Sequence, residues 1–159
     1  MSKSSNSITL SKSDIRILNL LQEDASCSRQ EIADNLGMSL STVSRRIAEL
    51  DTLGVIKKRV ALLDPDRIGL SVSVFVFVNL VGYESKIRDE FEEFAERSRS
   101  ITECVRVTGG YDYIVIVRTQ TVSSFEKILM DEILAHSSVS TASSTIALRQ
   151  TKHTTALAL

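Results

Sequence analysis

The chain has 159 residues, 43% of them hydrophobic and 25% charged, with a formal net charge of −1. That length suits one ordinary domain or two small ones, and the composition excludes a disordered, collagen-like, low-complexity or disulfide-stapled protein. No run approaches the roughly 20 apolar residues that cross a bilayer, so no membrane partner is expected. The N-terminus lacks the apolar core of a secretory signal, and Cys27 and Cys104 lack CxxC spacing. Reduced thiols in a cytoplasm are expected, and with two histidines and no cysteine pair, neither a metal nor a cofactor.

Residues 1–10 are polar and serine-rich and read as a frayed tail. Ser11 stands three residues before Asp14, the spacing of a capping box, and opens a helix with Ile15, Leu18 and Leu21 on one face, widened by Ile17 and Leu20. Ser28 and Glu31 form a second capping box. Ile32, Ala33 and Leu36 give a short apolar face that breaks at Gly37, and a new helix starting near Ser39 or Ser41 buries Val43, Ile47 and Leu50. Two short helices crossing steeply need a small residue at the contact, here Ala33. They also need a residue tolerant of positive φ at the turn, here Gly37. This is a helix-turn-helix. Gly54 caps its last helix, and the basic stretch Val55–Val60 reads as a short strand, so a DNA-binding domain over 11–60 is expected. A linker over 61–69 contains the only proline, Pro65.

A second domain, 70–159, alternates strand and helix. Leu70–Leu80 places Val72, Val74, Val76 and Val78 on one face and Phe75 and Phe77 on the other. Glu84–Arg97 is helical through Ile87, Phe91, Phe94 and Ala95. Strands at 101–108 and 113–119 flank Gly109-Gly110-Tyr111-Asp112. Ser123 and Glu126 open a helix that buries Phe125, Ile128, Leu129 and Ile133, and a last strand runs over 139–148. The order βαββαβ is that of a ferredoxin-like split sheet, giving an α+β fold class. Its helices cover one face only, yet Phe75 and Phe77 face away from Val74 and Val76, and Tyr113, Val115 and Val117 away from Ile114 and Ile116; apolar residues on both faces predict that a second subunit covers the other one.

The two halves differ in charge: residues 1–60 carry 9 Lys and Arg against 7 Asp and Glu, and the rest 10 against 13. The second helix of the helix-turn-helix presents Ser39, Ser41, Thr42, Ser44, Arg45 and Arg46. Arginine pairs bidentately with guanine, and hydroxyls serve bases or phosphates, so this face is expected on double-stranded DNA. Arg45 and Arg46 point about 100° apart, so one is expected on a base and the other on a phosphate. Lys57, Lys58 and Arg59 read as phosphate contacts. Cys104 alternates along a strand as a packing residue, and His136 sits at a helix end, where a partly charged imidazole favours the dipole.

In combination, SRQEIADNLGMSLSTVSRRIAELDTLGVIKK, the linker LLDPDRIGL and a βαββαβ domain containing GGYDY resemble the Lrp/AsnC transcription regulators over about residues 11–155. The resemblance implies a dimer built through the C-terminal sheets and assembled into octamers. It also implies an amino acid or related effector bound near dimer–dimer contacts that alters assembly or DNA affinity. It assigns Gly109, Gly110, Tyr111 and Asp112 to the effector site, Asp112 facing a ligand ammonium, and it adds Ser144 from the last strand, where Ala142 lacks the hydroxyl family members often carry. Two other classes compete: a ligand-independent protein that wraps DNA, and an enzyme similar to sirohaem decarboxylases. Catalysis is not expected, because a tetrapyrrole pocket calls for basic and aromatic residues, whereas histidine is scarce and tryptophan absent.

Overall fold

The computed structural model describes residues 8–159, so the tail expected over 1–10 lies largely outside the described residues. Helix α1 (Lys12–Glu23) starts where expected: Ser11 Oγ accepts from the Asp14 amide while the Asp14 carboxylate accepts from the Ser11 amide. Helix α2 (Arg29–Leu36) has the same reciprocal cap from Ser28 and Glu31. Gly37 then takes φ 64°, and Ser39 caps α3 (Leu40–Thr52). Ile17, Ile32, Ala33, Val43 and Ile47 form the buried centre of these helices. Ile17 takes the central place on α1, and Ile15 is only half-buried. A Cβ at position 37 would meet no neighbour, so only the left-handed backbone opposes a side chain there. Gly37→Ala is therefore expected to cost about 1 kcal/mol, measured as a lower urea midpoint with an unchanged slope.

The strand expected over 55–60 does not form. After Gly54 (φ 71°), the Val55 and Ile56 amides both donate to Leu50 O, and residues 55–63 have no ladder partner. A single extended segment leaves its backbone unpaired and is not a strand by itself.

In the second half, β1 (Val72–Leu80), β2 (Ile101–Arg106), β3 (Tyr113–Thr119) and β4 (Val139–Ile146) form an antiparallel sheet in the order β2-β3-β1-β4. Strands β2 and β4 each end two residues before the expected limit. Helices α4 (Ser85–Arg97) and α5 (Val122–Lys127) complete the ferredoxin-like βαββαβ order. Helix α5 begins one residue before Ser123, capped by Thr121, and continues as a π-helical turn over Ile128–Ile133. The core is Val74, Val76 and Val78 paired with Val117, Val115 and Tyr113, packed under Phe91, Phe125 and Ile133. Phe75 and Phe77 pair with Ile116 and Ile114 on the opposite face, away from the core under α4 and α5, and Phe75 is 36% exposed there.

Contacts divide the chain into two compact units: residues up to 62 together with 152–159, and residues 63–151. Among the described residues no helix is long and apolar enough to cross a membrane.

Candidate DNA interface and effector loop

Helix α3 buries Val43, Ile47 and Leu50 and turns the opposite ridge outward. Ser41 and Arg45 are exposed on that ridge; Thr42 and Ser44 are half-buried. Ser39 is exposed too, but its hydroxyl is occupied locally: it accepts from the Thr42 amide at 3.3 Å and bonds Thr42 Oγ1 at 2.7 Å and Ser41 Oγ at 3.1 Å. The three hydroxyls therefore present a bonded cluster at the start of the helix rather than three independent donors.

The two arginines separate cleanly. The Arg45 side chain is 62% exposed and bonds only Glu49, at 2.6 Å, one turn along the same helix. Such an exposed pair is weak and is readily exchanged for a stronger acceptor. Arg46 was expected on the same outward surface, and the structure corrects this placement. Its Nε and Nη2 donate to Asp14 Oδ1 and Oδ2 at 2.8 and 2.5 Å, and its Nη1 to Glu49 at 2.5 Å. Asp14 is 1% exposed and also accepts from Ser11. The Arg46 guanidinium holds the Asp14 carboxyl down at about 2, aided by the Ser11 bonds and opposed by burial. Arg46 itself is raised, chiefly by Asp14. A guanidinium filled by two carboxylates has little left to give a base, so Arg46 joins α3 to α1 and Arg45 is the arginine that faces outward.

Lys57 and Lys58 are exposed on the segment after α3, whereas Arg59 is tied to Asp51 at 3.2 Å. Among the described residues no group of three or more His, Cys, Asp or Glu is placed to hold a metal ion.

In the second unit, Gly109 takes φ 121° and allows the turn between β2 and β3. Gly110 has open space around it, and Tyr111 stacks on Phe77 with ring centroids 5.1 Å apart. Asp112 is the fastening point of this loop. Its amide donates to Val78 O, its carbonyl accepts from the Val107 amide, and its Oδ2 accepts from the Leu80 amide at 2.8 Å, where the β1–β4 register shifts. One carboxylate oxygen is thus already committed to the backbone, and only the other makes no hydrogen bond among the described residues.

Ser144 does not join this loop. It pairs with Val76 on β4, and directly paired residues of an antiparallel ladder share a face, so it lies on the face of Val76. Tyr111 stacks on Phe77, whose side chain points to the other face. His136 Nδ1 accepts from the Ser138 amide and its ring packs 4.7 Å from Phe94, so packing and this bond, rather than the helix dipole, account for it. Cys104 is packed against the core, and burial pushes its thiol up to about 11, with Glu92 adding to the effect, as suits a packing residue.

Reading the sequence missed the Asp14–Arg46 pair. The capping box already explained Asp14, and no local pattern connects it with a residue 32 positions away.

Residues 10–57 match the model of a winged helix-turn-helix DNA-binding domain, and residues 73–157 match that of the Lrp/AsnC ligand binding domain. A glutamate uptake regulatory protein of Zymomonas mobilis is 33% identical over 146 residues, covering 92% of this chain and 88% of that one. A transcriptional regulator from Neisseria meningitidis, solved as a complex with L-Met, superposes with a TM-score of 0.90 at 29% identity over 94% of this chain and 97% of that one. An AsnC family transcriptional regulator from Agrobacterium tumefaciens gives 0.89 at 30% identity with the same coverage.

Proposed function

The chain belongs to the Lrp/AsnC family of transcriptional regulators, and from that premise we propose that paired subunits read DNA through Arg45 and answer an amino-acid effector through the Gly109–Asp112 loop. It is a DNA-binding transcriptional regulator that carries an Lrp/AsnC ligand-binding domain. The observation that carries the reading of the DNA face is the division of labour on α3. Arg46 is consumed inside the unit, so the helix is held rigidly while Arg45 projects from it.

In this reading two α3 helices enter successive major grooves of a pseudo-palindromic site. Arg45 leaves Glu49 and takes guanine O6 and N7. Ser39, Ser41, Thr42 and Ser44 line the backbone, and Lys57 and Lys58 contact phosphates. Arg45→Ala is expected to weaken operator binding about tenfold per half-site while changing non-specific binding little, read by fluorescence anisotropy on DNA selected from a random pool. Equal losses on operator and random DNA would make Arg45 a phosphate contact.

The effector reading rests on the loop. Its glycines leave the backbone approachable, Tyr111 offers an aromatic wall and the second oxygen of Asp112 makes no hydrogen bond among the described residues. A carboxylate so placed suits the ammonium of an α-amino acid, the class of ligand carried by the Neisseria regulator. Ser144, on the other face of the sheet, completes such a site only from a neighbouring subunit, so effector binding and assembly are linked. The assembly is a dimer through the open sheet face, extended to an octamer, acting in the cytoplasm where the DNA is.

Light scattering coupled to size exclusion, with and without the twenty amino acids, tests this. A ligand-dependent change of mass or of operator affinity supports it. An assembly and affinity indifferent to the whole pool would leave a constitutive DNA-wrapping protein.

A further inference from the structure

We infer that the last eight residues, Lys152–Leu159, are a clip that docks on the DNA-binding unit and relays to it the state of the ligand-binding domain; the docking stands by itself, and the relay rests on the effector reading above. These residues follow the sheet in sequence but are compacted with the helix-turn-helix.

The fastening is specific. Gln22, near the end of α1, accepts from the Leu157 amide at 2.6 Å through Oε1 and donates from Nε2 to the Leu157 carbonyl at 3.2 Å. One side-chain amide thus takes both polar groups of a single residue, as a neighbouring strand does in a hydrogen-bonded pair. The Ala156 amide is turned back onto Thr154 Oγ1 at 3.1 Å, which shapes the tail just before the grip. Leu157 and Leu159 lie at a groove of about 830 Å³ whose other walls include Leu18, Leu21, Val55 and Ile56.

The grip is also weak. Leu157 is 73% exposed and Leu159 49%, so little apolar area is buried, and the backbone bonds carry the contact. Two such bonds at a solvent-exposed site open readily, and they hold because the tail is tethered and its effective concentration is high. Marginal docking is what a relay requires, since a contact that never opened could not report anything.

The chain passes between the two units twice, near residues 62 and 152. Between Ile146, the end of β4, and the tail lie residues 147–151, which reach at most about 17 Å fully extended. A displacement of β4, the strand of Ser144, that exceeds this reach cannot be taken up by the connection and pulls on Lys152. With the clip closed the DNA-binding unit is fastened at two points, and with it open at one.

The experiment uses the full chain and two variants, Gln22→Ala and Leu157→Pro, the second removing the N–H that Gln22 accepts. Hydrogen exchange at the Leu157 amide reads docking: it is expected to be protected in the parent and to exchange about tenfold faster in Gln22→Ala, while the amides of Ile17 and Leu18 keep their rates. Operator affinity with and without the twenty-amino-acid pool reads the relay. The ratio of the two affinities is expected to fall severalfold towards one in both variants, with the sedimentation coefficient unchanged. An unprotected Leu157 amide in the parent overturns the clip. Protection combined with an unaltered affinity ratio in both variants, or a change of assembly alone, overturns the relay. If the pool does not change the parent's operator affinity, the relay fails, and if the pool also leaves the parent's mass unchanged, the effector reading fails with it; the exchange result alone then decides whether the tail docks.

Discussion

Phe77→Asp is expected to break the proposed sheet-face dimer into single chains while each chain stays folded. Phe77 lies with Phe75, Ile114 and Ile116 on the face of the sheet away from α4 and α5, and it supports the Tyr111 ring. Within one chain the substitution leaves the packed core of Val74, Val76, Val78 and Phe91 intact, because the side chains of adjacent strand residues point to opposite faces. In a face-to-face dimer the same aspartate is desolvated without a partner, and a two-fold interface suffers it twice. An unpaired buried carboxylate costs at least about 4 kcal/mol, which is roughly a thousandfold in the association constant. Sedimentation velocity should give a monomer with the circular dichroism of the parent. An undiminished oligomer would show that subunits assemble through another surface.

The second large effect belongs to Asp14→Ala. The carboxylate is 1% exposed and satisfies the Ser11 amide, the Ser11 hydroxyl and Arg46 together, so removing it takes away the return half of the α1 capping box and the bidentate partner of the Arg46 guanidinium. Breaking a fully buried pair costs about 3–5 kcal/mol, and with Arg46 28% exposed and still bonded to Glu49 about 2–3 kcal/mol is expected. The urea midpoint of the helix-turn-helix should fall accordingly. Operator affinity should fall with it, since α3 loses its fastening to α1. Arg46→Lys, with Asp14 present, should lower the midpoint as well, because an ammonium does not make the bidentate bond. The pair also sets an acid limit. The folded pKa of about 2 lies below the unfolded value, so the stabilisation is complete above about pH 4 and is lost as pH falls from there towards 2. Asp14→Ala should flatten that part of the stability profile. A profile that remained as steep as in the parent would assign the acid transition to other carboxylates.

Much of the fold was legible because it depends on local pattern. The capping boxes at Ser11 and Ser28, the break at Gly37 and the alternation of Val72–Val78 against Phe75 and Phe77 each act over a few residues, and each formed as read. Where the reading failed, the missing information was a partner. Residues 55–60 have strand composition, but composition does not supply the neighbouring strand a ladder needs. The resemblance assigns Ser144 and Asp112 to one effector site; within one chain the register puts the serine on the other face from Tyr111, and Asp112 has one oxygen committed to the Leu80 amide.

The sequence by itself determined the two domain types and the faces they bury, because periodicity and capping are short-range effects. Only the tertiary structure decided what individual polar side chains do. Arg45 and Arg46 are adjacent in sequence, and nothing local distinguishes them. They differ because α1 brings the Asp14 carboxylate against one of them, just as it brings the Gln22 amide against a residue 135 positions away. A hydrogen bond or ion pair needs its partner within about 3 Å, and that distance is set by how the helices pack.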